Sequence, residues 1–125
     1  MKINTRQFLG IETKSSSYRD SRVVVVPFPY EEGTSYMKGT AQGPDAIINA
    51  SYYLELYDEV LNTEPSTAGI CTVAPPKIPS EPGDMIETVY NFTSEILRDK
   101  KFIIILGGDH SITTGYCQAL KEKYG

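Results

Sequence analysis

The sequence predicts an α/β fold: a parallel sheet with helices wound on both faces. Three observations carry that prediction. Residues 23–26 and 102–106 are apolar at every position, with no alternation. A strand apolar on both sides needs a covering layer on each. Between and after these runs, apolar residues recur at 3–4-residue spacing, the period of a helix packed on a sheet. The order strand, helix, strand, helix, strand, helix is that of a doubly wound domain.

The elements follow in chain order. Residues 1–20 are polar and weakly patterned, and read as an N-terminal arm. Val23, Val24, Val25 and Val26 are β-branched and form the first strand, which Pro27 and Pro29 are expected to end because neither donates to a ladder. Residues 30–43 hold three glycines and five acids or hydroxyls, a loop of functional length. Pro44 suits the first turn of a helix and Asp45 complements its dipole. Ala46, Ile47, Ala50, Tyr53 and Leu54 mark its apolar face, which carries the expected helix to about Leu56. Residues 62–69 are turn chemistry, 70–73 a short strand, and 75–83 a connector with four prolines. A second helix starts near Pro82, its apolar face at Met85, Ile86, Val89, Phe92, Ile96 and Leu97. Arg98, Lys100 and Lys101 suit its negative end. The third strand, 102–106, opens into Gly107-Gly108, and a third helix is expected over 113–123. Three strands make a small sheet, and the reading leaves both of its edges uncovered.

Composition narrows the function. The 125 residues suffice for one domain, 1–125. Sixteen acids against 12 bases give a net charge of −4, which argues against a nucleic-acid or anionic-membrane partner. The chain shows no signal-peptide hydrophobic region and no apolar run near the ~18 residues of a membrane span. Cys71 and Cys117 form no CxxC and are expected to be reduced, mostly buried thiols of a cytoplasmic protein.

The segment Gly107-Gly108-Asp109-His110-Ser111 follows the most apolar strand and contains the single histidine. Ligands in open α/β sheets sit at the carboxyl ends of strands. Paired glycines let the backbone turn and approach a neighbour closely. Three readings stand on these residues. One is a tight turn with Asp109 or Ser111 capping the next helix. Another is an anion site at the helix N-terminus. No GxGxxG or GxxxxGK[ST] supports a nucleotide there. The last is a metal site with His110 as ligand and Asp109 beside it. Elsewhere, Glu31 and Glu32 read as a solvated turn, with attraction of a cationic substrate as the functional counterpart. Tyr30, Tyr36, Tyr52, Tyr53 and Tyr57 offer a pocket lining, although the spacing of 53 and 57 fits core or subunit contact. Ser111 and Thr113 have only His110 as a base, so a hydroxyl nucleophile has little support.

Two segments carry a family resemblance. Residues 107–113, GGDHSIT, resemble the signature of the ureohydrolases, the family of agmatinase and arginase. Residues 33–51, GTSYMKGTAQGPDAIINAS, resemble the family's N-terminal pattern, and residues 52–61 are similar to the agmatinase-like branch. The likeness spans most of residues 21–125. The position after Ala46-Ile47 often carries arginine in that family, and this chain has Ile48.

The resemblance implies a three-layer α/β/α sandwich with a central parallel sheet, present here only as its N-terminal part. It implies a binuclear manganese centre at the strand ends, with His110 a ligand and Asp109 placed behind the ligands rather than on the metal. Gly107, Gly108 and Ser111 then support the loop. Two such metals, roughly 3.5–4 Å apart, bridge one water and make hydroxide available near neutral pH. The implied reaction is hydrolysis of a guanidino C–N bond, agmatine and water giving putrescine and urea in polyamine synthesis. Arginase, guanidinobutyrase and formimidoylglutamase activities stay open, as do an inactive or truncated non-catalytic module and an anion-binding domain. The family's Asp-x-His-x-Asp and Asp-x-Asp clusters do not occur after His110, so the chain alone is expected to be inactive. No catalytic residue is assigned within it. A homo-oligomer, trimer or hexamer, is expected.

Overall fold

The computed structural model describes residues 1–11 and 16–125; residues 12–15 of the arm lie outside the described residues. Strands β1 (Val23–Phe28), β2 (Ile70–Thr72) and β3 (Phe102–Gly107) form one parallel sheet in the order β2-β1-β3. Helices α1 (Gly43–Ala50), α2 (Pro82–Arg98) and α3 (Ile112–Tyr124) connect and follow them. The chain steps from β1 to β2 on one side, then crosses back over β1 to β3. The crossover reverses at the β1/β3 pair, and the carboxyl ends of these strands form the sheet's switch point.

Successive strand residues point to opposite faces. Val24, Val26 and Phe28 of β1 share one core with Cys71, Val73 and Ile103. Onto it α2 places Met85, Val89, Ile96 and Leu97, and α3 places Ile112 and Ala119. Phe92 meets Phe28 edge-to-face, with ring centroids 5.9 Å apart. Such pairs add about 0.5–1.5 kcal/mol beyond area burial. The α2 periodicity is therefore read correctly from the sequence.

Pro27 does not end β1. The strand runs through it to Phe28, because pairing with β2 stops at Val25↔Thr72 while pairing with β3 continues to Phe28↔Gly107. The Val25 carbonyl accepts from Val73 N–H on the β2 side at 3.0 Å. Alternation turns Pro27 to that same side, where β2 has ended and no donor is needed.

The first helix also differs from expectation. It ends at Ala50 and passes into a 3₁₀ turn, Ser51–Tyr53, well short of Leu56. Its buried residues are Pro44, Ile48 and Ser51, while Ile47, Tyr53 and Leu54 are exposed, Tyr53 at 91%. The stretch has apolar residues on two sides, and contact with β1 and β3 selects the other one. Ile48 is 1% exposed, a core residue rather than a surface one.

The polar arm closes one sheet edge. Ile3 bridges Val73 antiparallel, and Ala74 N–H donates to the Lys2 carbonyl at 2.9 Å. The Gln7 carboxamide imitates a strand: it accepts from Thr72 N–H at 2.7 Å and donates to the Thr72 carbonyl at 3.0 Å. The expectation of two uncovered edges is thus corrected at β2. β3 is the other end of the sheet, with Phe102 67% and Ile104 41% exposed. Lys101 does not serve the α2 terminus; its ammonium donates to the carbonyls of Arg19 and Ser21 at 2.8 and 2.7 Å.

Both cysteines are free, but Cys117 is exposed, contrary to the expectation of mostly buried thiols. Burial pushes the Cys71 thiol up to about 11. Its folded-state pKa is raised, so its contribution to stability is full below the ordinary thiol range of about 8.5 and lost as pH rises through about 11. In native protein at pH 8 a disulfide reagent is expected to titrate Cys117 rapidly and Cys71 only on unfolding. Equal rates for both thiols would contradict the packing around Cys71.

Candidate functional site

The loop after β3 is stitched to the end of β1. Gly108 N–H donates to the Phe28 carbonyl at 3.1 Å, and Asp109 N–H to the Tyr30 carbonyl at 2.8 Å. The approach is too close for any side chain at 108: a Cβ there would stand 1.9 Å from the Tyr30 oxygen. This explains the glycine before Asp109. Tyr30 itself is buried, its hydroxyl donating to the Ser80 carbonyl at 2.9 Å, so it belongs to the core rather than to a pocket wall. Tyr36, Tyr52, Tyr53 and Tyr57 are exposed, and 53 and 57 are not core.

Asp109 occupies the middle of the stitch. Its Oδ2 accepts from Gly33 N–H at 2.9 Å, and its Oδ1 accepts from Ser111 N–H at 2.9 Å and from the Ser111 hydroxyl. Partial burial raises its pKa, but the donors on Ser111 and Gly33 outweigh that and hold the carboxyl below the usual range. Ser111 precedes α3 without a side-chain capping bond. Its N–H and hydroxyl are spent on Asp109 instead.

His110 is exposed at the rim, and Thr113 Oγ1 lies 3.1 Å from its Nδ1. The ring lines a cleft of about 390 Å³ with Ile105, Gly107, Gly108, Asp109 and Tyr116. All the lining residues come from β3, the loop and α3, so this chain builds one wall.

The loop after β1 is organised around Glu31. Its carboxylate accepts from Gly39 N–H at 2.7 Å and Ala41 N–H at 3.1 Å, which lowers its pKa. Glu32 pairs with Lys38 at 3.0 Å, both half-exposed. These acids hold the loop's own shape. One Glu31 oxygen, Oε2, takes both backbone N–H groups and Glu32 pairs with Lys38, a structural use that nothing in the sequence pattern distinguished from attraction of a cation.

The donor set for a metal is incomplete. Among the described residues no group of three or more His, Cys, Asp or Glu is placed to hold a metal ion. His110 is one imidazole, and the Asp109 oxygens are already engaged. Manganese favours an octahedral shell of oxygen-rich ligands, so these residues do not build a centre by themselves.

Fold and site together define a doubly wound α/β protein with a Gly-Gly-Asp-His-Ser rim at its β1/β3 switch point. The chain belongs to the arginase family: the family's profile matches residues 21–125. It is 45% identical over 123 residues to the N(1)-aminopropylagmatine ureohydrolase of a Synechocystis species, covering 94% of this chain and 40% of that one. It is 30% identical to the agmatinase of Bacillus cereus over 86% of this chain and 38% of the relative. The crystal structure of the agmatine ureohydrolase of Thermoplasma volcanium superposes with a TM-score of 0.81 at 28% identity, covering 93% of this chain and 39% of that one. The chain thus spans about 40% of the length of such relatives and corresponds to their N-terminal part. The arginase-like α/β fold expected from the resemblance is the fold observed.

Proposed function

We propose that residues 1–125 are the N-terminal part of a single-domain, manganese-dependent ureohydrolase that cleaves a guanidino C–N bond and releases urea. The observation that carries the reading is the exposed His110 at the switch-point rim of an arginase-family chain. Agmatine is the first substrate proposed, with putrescine as the amine product. N(1)-aminopropylagmatine is the second, favoured by the 45% identity to a ureohydrolase named for it. In this reading His110 contributes one metal ligand, the Gly107–Ser111 segment supports it, and the remaining ligands lie outside this chain. A cytoplasmic homo-oligomer, trimer or hexamer, accompanies the proposal. No helix among the described residues is long and apolar enough to cross a membrane.

The test is urea release by the whole protein from agmatine, N(1)-aminopropylagmatine and arginine, with and without Mn²⁺. Manganese-dependent turnover of one of the first two is expected, with arginine much slower. Residues 1–125 alone are expected to release none. A manganese-loaded whole protein that leaves every guanidine intact would sink the reading.

A further inference from the structure

The loop 31–42 is held to the rim by a single side chain. Among the described residues, the other hydrogen bonds seen for it close within it or onto the adjoining start of α1: Thr34 N–H and hydroxyl on the Glu31 carbonyl, Lys38 on Glu31 and Glu32, Gly39 and Ala41 on the Glu31 carboxylate, Gln42 N–H on the Gly39 carbonyl, and Gly43 N–H on the Thr40 carbonyl. The exception is Gly33 N–H, which donates to Asp109 Oδ2 across a sequence separation of 76. Asp109 also lines the cleft beside His110, and none of its hydrogen bonds goes to the imidazole.

We propose that Asp109 is a positioning residue acting through Gly33: the carboxylate that lines the cleft beside His110 also latches the β1–α1 loop to the rim, so that loop and rim hold each other in place next to the proposed guanidino site. A carboxylate suits the role because both oxygens accept, one from Gly33 and one from Ser111. An asparagine keeps one acceptor and turns an NH₂ toward the other N–H. The absence of a side chain at 33 belongs to the same device, since a Cβ there would lie 2.8 Å from Asp109 Oδ2. The contact joins the chain's two motif segments, 33–51 and 107–113. Each supplies half of one contact.

The test combines hydrogen–deuterium exchange with kinetics on the whole protein carrying Asp109→Asn. Exchange over residues 31–42 is expected to quicken by ~10- to 100-fold, the range set by loss of a hydrogen bond to a charged group. Protection of 23–28 and 102–107 should persist. KM for the guanidine is expected to rise ~10-fold with kcat little changed, because the change loosens a wall of the cleft at Asp109 without removing His110. Manganese content should match wild type. Gly33→Ala, which crowds the same contact from the other side, should quicken the same peptide, and the double variant should do no worse than either single one.

The kinetic arm rests on the proposed guanidino hydrolysis; the exchange arm does not, so a protein without urea release would still report on the latch. Unchanged exchange over 31–42 in both single variants overturns the proposal. So does a loss of manganese with the loop still protected, which would place Asp109 in service of the metal. If Asp109→Asn unfolds the chain, Gly33→Ala decides: a selectively released loop supports the latch, and a protected one overturns it.

Discussion

Gly108→Ala is expected to destabilise the protein by about 3 kcal/mol or more, the upper part of the overpacking range. The added Cβ would meet the Tyr30 oxygen at 1.9 Å and its carbonyl carbon at 2.9 Å. Both are backbone atoms, so no side-chain rotation relieves the clash. The strand end or the loop must move. Either movement breaks the bonds from Gly108 to Phe28 and from Asp109 to Tyr30, which join β3 to β1 beyond the ladder. Thermal unfolding should fall by roughly 10 °C. Gly83→Ala provides the contrast: nothing lies within 4 Å of a Cβ there and the residue is within α2. Alanine at that position is expected to be neutral or to stabilise by up to ~1 kcal/mol. Wild-type melting of Gly108→Ala would mean that the two strand ends are not packed as described.

His110→Ala is expected to have the opposite profile, with activity lost and stability kept. The ring is exposed and its close polar neighbour is Thr113 Oγ1, so truncation removes little packing. On the proposed reading it removes a ligand. Even residues that only orient metal ligands are worth ~10–100-fold when lost, so urea release should fall by more than ~100-fold. Metal analysis of the whole protein should show less than the full manganese complement, while the melting temperature of the metal-free form stays within a few degrees. Full metal content with full turnover in His110→Ala would remove the histidine from the site. Compared with Gly108→Ala, this pair separates two kinds of rim residue: one whose atoms hold the strands together, and one whose atoms face the cleft.

β1 was legible because an apolar run without alternation calls for a layer on each face, and it is buried from Val24 to Phe28; β3 carries the same signal, but Phe102 and Ile104 on its second face are exposed. The α2 periodicity was legible because its apolar residues lie on one side only. α1 was not, since Ile47, Tyr53 and Leu54 compete with Pro44, Ile48 and Ser51, and periodicity cannot choose between two apolar sides. Nor was the role of Gln7, whose amide substitutes for a strand neighbour. A polar side chain carries no sign in the sequence of whether its partner is water or an edge peptide. Asp109 has the same ambiguity. Its type and its place beside His110 read in the sequence as a metal environment, while its distances lead to Gly33 and Ser111.

By itself the sequence determined the layer class, the three strands, the buried face of α2 and the position of the Gly-Gly-Asp-His-Ser rim. These follow from local periodicity and from backbone demands that neighbouring residues reveal. Tertiary structure alone decided the strand order, the covered edge at β2, the buried side of α1 and the contact between Gly33 and Asp109. Each of those depends on which distant peptide groups and side chains come within hydrogen-bond or van der Waals reach, and that proximity exists only once the crossover at β1 has brought the two strand ends together.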